Sequence, residues 1–185
     1  MILNKLNPET VEIVANFLKE GGIGVLPCDT IYGLSSIYGI GEKPLRFIKK
    51  RPDYKPFIIL CTLQQAKDIC KKEIPPQILN LWPAPLTVIL KDKNDVSTAI
   101  RVPKDDFLQE LLERTGSPIY STSVNTSGEP TLLTFSEIQQ RFECKVDFMV
   151  KNKEKQGSIP STLIDATVTP YKIIRQGIFD VSTLI

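Results

Sequence analysis

Segments with helical spacing of apolar residues alternate along the chain with short apolar runs that are typical of buried strands. Helical spacing predicts a first helix that begins at Asn7-Pro8-Glu9 and stops at Gly21-Gly22. It predicts further helices over 42–50, 63–72, 104–115 and 134–143, with a short helical turn between Pro75 and Trp82. Apolar runs predict strands over 23–27, 56–61, 86–90, 98–102, 118–123, 146–150 and 171–175.

Helices and strands follow one another with short connections, which is typical of the α/β class. We therefore predict a single α/β domain over residues 1–185, in which helices cover one sheet. The segment KNKEKQG (151–157) is the most polar of the chain and is predicted to form a mobile loop.

Polar residues stand at the ends of two predicted strands. The run IGVLP (23–27) leads into CDT (28–30), and a strand that ends in small polar residues often forms one wall of a binding pocket. The strand TAIRV (98–102) carries Arg101 among apolar residues. A buried arginine needs an anion, which is either an internal Asp or Glu or the carboxylate of a ligand.

Composition is ordinary for a globular protein, with 42% hydrophobic residues and a net charge of +2. The overall charge does not indicate nucleic-acid binding, so any basic site must be local. No run approaches the roughly 20 apolar residues of a membrane span, and the N-terminus lacks the pattern of a signal peptide. We therefore expect a cytoplasmic protein that does not enter a membrane.

The chain contains no histidine, which excludes Ser-His-Asp and Cys-His catalysis and imidazole metal ligands within one chain. Its four cysteines are scattered without a CxxC pair, which argues against a zinc site and against a disulfide framework. We predict no dedicated protein metal site. Any chemistry must use carboxylates, hydroxyls, Lys, Arg, backbone groups or a metal ion that arrives with a substrate.

The strongest local charge signal is the segment KPLRFIKKRPDYKPF (43–57), with six Lys or Arg and a single acid. One interpretation is a solvated helix face followed by a turn. The other is a phosphate site, because the prolines of Arg51-Pro52 and Lys55-Pro56 stiffen the loop that carries these cations. Neither a P-loop nor a GxGxxG fingerprint is present, so a bound nucleotide would need another scaffold.

The segment STSVNTSGEPT (121–131) directly follows a predicted strand and is rich in hydroxyls. Small hydroxyl side chains, an amide and Gly128 allow close approach to a polar ligand, as in oxyanion and phosphate cradles. An ordinary surface loop has a similar composition, so this segment alone leaves both interpretations open. The rigid turn WPAPLT (82–87) is interpreted as structural, with Trp82 in the core.

Seven segments, taken in order, resemble the YrdC-type threonylcarbamoyl-AMP synthases. They are PCDTIYGL (27–34), KKRPDYKP (49–56), PAPLT (83–87), RVP (101–103), SVNTSG (123–128), STLID (161–165) and RQG (175–177). The chain departs from the family pattern at Cys28, which replaces a threonine, and at Ala84, which replaces a glycine. The resemblance covers essentially the whole chain and identifies it with the minimal, single-domain form.

The resemblance implies a twisted, open, mixed sheet covered by helices, with a deep, basic, concave cavity. It implies condensation of L-threonine, bicarbonate and ATP, accompanied by Mg²⁺, to threonylcarbamoyl-AMP and diphosphate. A tRNA-modifying transferase complex would then use the product to form threonylcarbamoyladenosine in tRNA.

The resemblance also implies site residues, carried over position by position. The threonine-binding positions are Thr30, Arg101, Ser121 and Ser161. The ATP-binding positions are Arg51, Lys55, Ser97, Ser123, Thr131 and Arg175. Some relatives hold threonine with a histidine where this chain has Leu60, which leaves amino-acid affinity and selectivity open, and no catalytic base is identified.

Two other functions are compatible with the same sequence. A basic cavity of this kind also fits a non-catalytic module that binds double-stranded RNA or tRNA. A related carbamoyl-adenylate enzyme that serves another acceptor is the third possibility.

Overall fold

The computed structural model describes residues 1–153 and 159–184. Within these residues the strands are β1 (Ile2–Asn4), β2 (Ile23–Pro27), β3 (Tyr32–Ile37), β4 (Ile58–Leu60), β5 (Leu86–Lys91), β6 (Ser97–Arg101), β7 (Ile119–Ser123), β8 (Phe148–Lys151), β9 (Thr162–Asp165) and β10 (Lys172–Arg175). The helices are α1 (Thr10–Lys19), α2 (Glu42–Lys49), α3 (Leu63–Ile69), α4 (Pro76–Leu79), α5 (Asp106–Thr115) and α6 (Phe135–Phe142), the last followed by a 3-10 turn at Glu143–Lys145.

The ten strands form one mixed sheet in the order β1-β8-β2-β3-β7-β4-β6-β5-β9-β10. The β1–β8, β2–β8, β4–β6 and β5–β9 pairs are parallel, and the other pairs are antiparallel. The prediction of an α/β fold with a mixed sheet covered by helices is confirmed. No helix in the described part of the chain is both long and apolar enough to span a membrane.

Helices α1 and α5 pack side by side on one face of the sheet. Their apolar stripes, which include Leu18 and Leu111, bury a core against Leu26, Ile119 and Phe148 of the strands. Capping residues set one end of each of these helices. The Asp105 side chain accepts a hydrogen bond from the backbone at the start of α5, and Gly21, at φ +85°, follows the end of α1. This half of the face is therefore closed to solvent.

The other face carries the larger core, to which α2, α3, α4 and α6 contribute. Buried residues of these helices, such as Leu45, Ile78 and Phe142, pack against strand residues such as Leu34 and Ile100. Both α3 and α6 begin with a capping box. The threonine side chain accepts a hydrogen bond from the backbone N–H of the Gln or Glu three residues later, and the side chain of that residue accepts one from the backbone N–H of the threonine. Trp82 is buried in this core, as predicted.

Three strands were not predicted, namely β1, β3 and β9. The most informative is β3, which returns antiparallel beside β2 immediately after the polar residues 28–30. Its serines Ser35 and Ser36 interrupt the apolar pattern, yet both are fully buried. Their hydroxyls form hydrogen bonds inside the protein, for example Ser36 Oγ to the Gly22 carbonyl at 2.9 Å, which removes the cost of burying them.

The remaining predicted elements occur, with ends shifted by a few residues. Helix α3 is the shortest relative to its prediction and ends at Ile69, where the chain becomes extended at Cys70. The predicted loop at 151–157 begins in strand β8 at Lys151, and its residues 154–157 lie outside the described residues.

Candidate active site

The face that carries α1 and α5 is only partly covered, and its uncovered part forms a cavity of about 370 Å³. Strand β7 runs from one part to the other. Ile119 lies in the core beneath the two helices, whereas Ser121 and Ser123 line the cavity. Since alternate residues of a strand point to the same face, this single strand changes from apolar to hydroxyl-bearing where the helices end.

All ten predicted site residues lie in the described part of the chain. The cavity lining includes Thr30, Arg51, Lys55, Arg101, Ser121, Ser123, Ser161 and Arg175. Ser97 and Thr131 are not in this lining. Ser97 is exposed at the start of β6 and lines a different surface pocket, while Thr131 is partly buried in the loop before α6.

Arg101, at the end of β6, is buried with 4% of its surface exposed. Its Nη2 forms an ion pair with Asp29, and its Nη1 donates to Thr30 Oγ1 at 3.1 Å. The anion that a buried arginine needs is therefore an internal acid, from the CDT segment that follows β2. The buried Nε–H has no hydrogen-bond partner among the described residues.

Gly33 makes room for the hydroxyl of Ser121. The two residues lie on neighbouring strands, where Gly33 pairs with Ser123 and Ser121 pairs with Ser35. A Cβ at position 33 would lie 2.4 Å from Ser121 Oγ. Only glycine at this position therefore leaves the Ser121 hydroxyl, which also accepts from Ser35 Oγ at 3.4 Å, in its present place at the cavity wall.

Arg175 on β10 faces the same cavity. Its guanidinium donates to the Ser161 carbonyl at 2.9 Å and to Ser161 Oγ at 3.3 Å. The Ser161 hydroxyl lies 2.8 Å from Thr87 Oγ1 on β5. Burial, together with the nearby positive charge of Arg101, lowers the pKa of Arg175, so the two guanidiniums repel each other and an anion between them would be stabilised.

Arg51 and Lys55 form the cationic wall on the α2 side. Arg51 is held by its own loop, since Nε donates to the Lys55 carbonyl at 3.1 Å and Nη2 to the Pro56 carbonyl at 2.7 Å. Burial and the neighbouring Arg46 lower the pKa of Arg51. Lys55 is exposed and forms no ion pair within the described residues. The prolines thus shape a loop whose carbonyls orient its own cation.

Lys49 is the main residue of the site region that the sequence did not reveal. It ends α2 with 1% of its surface exposed, and its ammonium donates to the Ser123 carbonyl at 2.6 Å and to Asn125 Oδ1 at 2.5 Å. The Lys49 carbonyl in turn accepts from Ser127 N. Lys49 therefore joins α2 to the hydroxyl-rich segment 121–131. Burial, and secondarily Arg51, lowers its pKa from 10.5 to about 7.

The available signal for Lys49 was its position. It stands four residues after the buried Leu45 and hence on the inward face of α2, but a lysine in a basic helix is usually solvated.

Cys28, one of the two departures from the family pattern, lines the cavity, and burial raises the pKa of its thiol to about 12. This cysteine is therefore a neutral thiol at physiological pH.

Together, fold and site define an α/β protein with a polar, cationic ligand cavity on one face of a mixed sheet. The model of the family Sua5_yciO_yrdC, described as "Telomere recombination", matches residues 16–177. The chain belongs to this Sua5/YciO/YrdC family, and the predicted family is confirmed.

Relatives of this family resemble the chain over most of its length. It is 29% identical over 183 residues to the threonylcarbamoyl-AMP synthase of Pyrococcus abyssi (strain GE5 / Orsay), an alignment that covers 90% of the chain and 54% of the relative. It is 29% identical over 165 residues to that of Neisseria gonorrhoeae (strain ATCC 700825 / FA 1090), covering 80% of the chain and 87% of the relative. The chain thus spans about half the length of the Pyrococcus relative.

Solved structures agree with this assignment. The crystal structure of P. abyssi Sua5 complexed with L-threonine superposes with a TM-score of 0.87 at 28% identity. The superposition covers 96% of this chain and 57% of the Pyrococcus chain. The sheet and helices of this chain therefore have the same arrangement as those of P. abyssi Sua5, whose structure was solved with L-threonine bound.

Proposed function

We propose that this protein is a threonylcarbamoyl-AMP synthase that converts L-threonine, bicarbonate and ATP to threonylcarbamoyl-AMP and diphosphate. The observation that carries the proposal is the convergence of Arg51, Lys55, Arg101 and Arg175 with three serines around one cavity. Relatives along most of the chain bear this activity in their names. A cavity with several cations and hydroxyls suits a substrate with a carboxylate and a triphosphate.

The amino acid is assigned to the side of the cavity formed by Thr30, Arg101, Ser121 and Ser161. The free Nε–H of Arg101 is available to the threonine carboxylate, while Asp29 keeps the guanidinium in place. The hydroxyls of Ser121 and Thr30 are compact donors and acceptors for the amino and hydroxyl groups of threonine.

The nucleotide is assigned to Arg51, Lys55, Ser123 and Arg175. The other two predicted contacts, Ser97 and Thr131, lie outside the cavity lining, and Ser97 lines a separate pocket. The neutral threonine amine adds to the carbon of bicarbonate, a C–O bond breaks, and the oxygen leaves as water together with a proton of the amine. An oxygen of the resulting carbamate then attacks the α-phosphorus of ATP. The bond from that phosphorus to the bridging oxygen breaks, and diphosphate leaves with the electron pair. The cations stabilise the charge on the leaving diphosphate, so positioning and electrostatics supply the catalysis without a histidine.

Magnesium would arrive with the triphosphate. The described residues gather no group of three or more acidic or cysteine side chains able to hold a metal ion, and Asp29, the acid beside the cavity, is engaged by Arg101. The donor set of the lining, hydroxyls and cations, fits phosphate oxygens that themselves carry Mg²⁺. The ion would neutralise part of the triphosphate charge.

The product is a mixed anhydride of a carbamic acid and AMP, which is an activated carbamoyl donor. Its consumer would be a transferase complex that acylates an adenosine amine of tRNA, placing the protein in the cytoplasm with the tRNA-modification machinery.

The test is incubation of the protein with ATP, Mg²⁺, threonine and labelled bicarbonate. Diphosphate release that requires threonine, with label in an AMP adduct, is the expected result. Retention of double-stranded RNA or tRNA without turnover would instead identify a binding module. Bicarbonate-dependent ATP cleavage that ignores threonine would identify a carbamoyl-adenylate enzyme with another acceptor.

A further inference from the structure

A second cavity, of about 430 Å³, lies on the opposite face of the sheet from the candidate active site. Tyr120 of β7 establishes this, because it lines the second cavity and its neighbour Ser121 lines the first. Consecutive residues of a strand point to opposite faces of the sheet. Four aromatic residues line the second cavity: the exposed Tyr54 and a group of three rings, Tyr38, Phe57 and Tyr120. We call this cavity the aromatic pocket.

The three rings are in contact through Tyr120. The Tyr38 and Tyr120 centroids lie 5.0 Å apart, and those of Phe57 and Tyr120 lie 5.7 Å apart. Tyr120 and Phe57 are buried and give the wall a fixed shape, while Tyr38 keeps 39% of its surface exposed. An aromatic wall of this kind presents the electron-rich ring faces that attract cations.

The charged side chains of the pocket lining are mostly acidic. The lining contains the carboxylates of Glu42, Asp53 and Asp92 and the guanidinium of Arg46. Burial raises the pKa of the Tyr38 phenol, and the carboxylates of Asp92 and Glu42, which line the same pocket, raise it further. Three carboxylates against one guanidinium give the lining a net negative charge, while two cations outside the lining, Arg51 and Lys55, lie over the rings of Phe57 and Tyr54.

Arg46 already uses the pocket wall in the way a ligand cation would. Its guanidinium lies over the Phe57 ring at 5.0 Å from the centroid and pairs with Glu42 at 2.7 Å. It also donates to the carbonyls of Pro52 and Lys55. Arg46 is thus committed to the protein, while Asp92 pairs with no cation in the described part of the chain.

We propose that the aromatic pocket binds a small organic cation, an alkylated ammonium or a guanidinium, between the Tyr38 ring and the carboxylates of Glu42 and Asp92. The cation–π attraction of Tyr38 and Tyr120 and the surplus negative charge act together there. Two sources present this chemistry, a free amine and the basic side chain of another protein, and the test below separates them. The pocket and the candidate active site lie on opposite faces of the sheet and share one lining residue, Pro56.

The test uses choline and its neutral isostere 3,3-dimethylbutan-1-ol, with binding followed by NMR shifts of the tyrosine ring protons. Choline should shift Tyr38 and Tyr120 in a saturable manner and bind about tenfold or more tightly than the neutral alcohol. Equal binding of the two, or no saturable binding of choline, would overturn the proposal. N-acetyl-arginine amide and N-acetyl-lysine amide form the second arm: tighter binding than choline favours a protein side chain, and weaker binding favours a free amine.

Variants locate the site. Tyr38→Leu should weaken choline binding about fivefold or more, whereas Tyr38→Phe keeps the ring face and should retain the affinity. Phe47→Leu is the matched control, because Phe47 is an aromatic residue on α2 with 84% of its surface exposed, and it lies outside this pocket. If Tyr38→Leu binds choline as tightly as wild type and its melting temperature is unchanged, then the cation does not bind in this pocket.

Discussion

Arg101 and Asp29 form a buried ion pair at the wall of the candidate active-site cavity, although 72 positions separate them in the chain. The pair supplies the anion that the apolar surroundings of Arg101 require. The Nε–H remains unpartnered among the described residues, and it is the donor that we propose for the threonine carboxylate.

This arrangement predicts different outcomes for its two members. Arg101→Lys keeps the charge but loses the Nε–H that we assign to threonine and the planar group that reaches Asp29 and Thr30, so it should raise the threonine requirement more than the ATP requirement. Asp29→Asn leaves the guanidinium without its counter-charge, so the free energy of unfolding should fall by about 3 kcal/mol. Threonine should nevertheless stabilise Asp29→Asn at least as much as wild type, because its carboxylate meets an uncompensated cation.

Thermal unfolding with and without threonine measures both effects. If Arg101 serves only the internal pair, Arg101→Lys will melt earlier without ligand, and its shift with threonine will equal that of wild type. That pattern would remove Arg101 from the threonine site.

Local sequence patterns predicted most of the helices and the strands with continuous apolar runs. They missed β3 because the buried Ser35 and Ser36 depend on hydrogen-bond partners that only the folded chain supplies. For the same reason the sequence left the partner of Arg101 open: its position in an apolar strand required an anion, but the identity of Asp29 depends on how two distant strands meet. The resemblance supplied residues of the cavity, whereas the burial of Lys49 is evident only in three dimensions.

Lys49 gives stability a characteristic pH dependence. Its pKa falls from 10.5 to about 7 in the folded protein, so between these pH values the unfolded chain holds a proton that the folded protein does not. Stability therefore rises with pH in this window, by up to about 1.4 kcal/mol per pH unit, and is independent of Lys49 titration below pH 7. Lys49→Met should abolish this contribution, so the stability difference between the two proteins should change steadily as pH rises.

Denaturant unfolding of wild type and Lys49→Met from about pH 6 to about pH 9.5 measures this difference. Other titrating groups contribute equally to both proteins and cancel. If the free energy of unfolding depends on pH in the same way in both proteins, then Lys49 keeps an ordinary pKa among the oxygens of Ser123 and Asn125.

Lys55 tests the assignment of the triphosphate. Lys55→Ala should weaken ATP binding by about 1.5–3 kcal/mol, the range for a hydrogen bond to a charged group. Stability should change little, because Lys55 is exposed and makes no ion pair in the described residues. Lys43→Ala, which changes an exposed lysine of α2 outside the cavity, is the control for the loss of one positive charge. Isothermal titration with ATP should separate the two variants, and equal loss in both would reduce the effect to net charge.

Ser123 tests the division of the cavity between the two substrates. Its hydroxyl donates to Asn125 Oδ1 at 2.8 Å, whereas the contact to Lys49 at 2.6 Å comes from its backbone carbonyl. Ser123→Ala therefore removes a hydroxyl from a residue of the cavity lining and keeps the main link to α2. We expect weaker ATP binding and lower activity, with threonine binding unchanged.

The control for Ser123→Ala is Ser127→Ala, in the same segment. The Ser127 hydroxyl is buried without a hydrogen-bond partner among the described residues and does not line the cavity, so its removal should leave activity intact and stability equal or slightly higher. Titrations of each substrate alone distinguish the assignments. Loss of threonine binding with intact ATP binding in Ser123→Ala would mean that the roles of Ser121 and Ser123 are exchanged. Such an exchange is possible because the two serines lie on the same face of β7. They differ chiefly in their distance from the segment whose oxygens accept from Lys49.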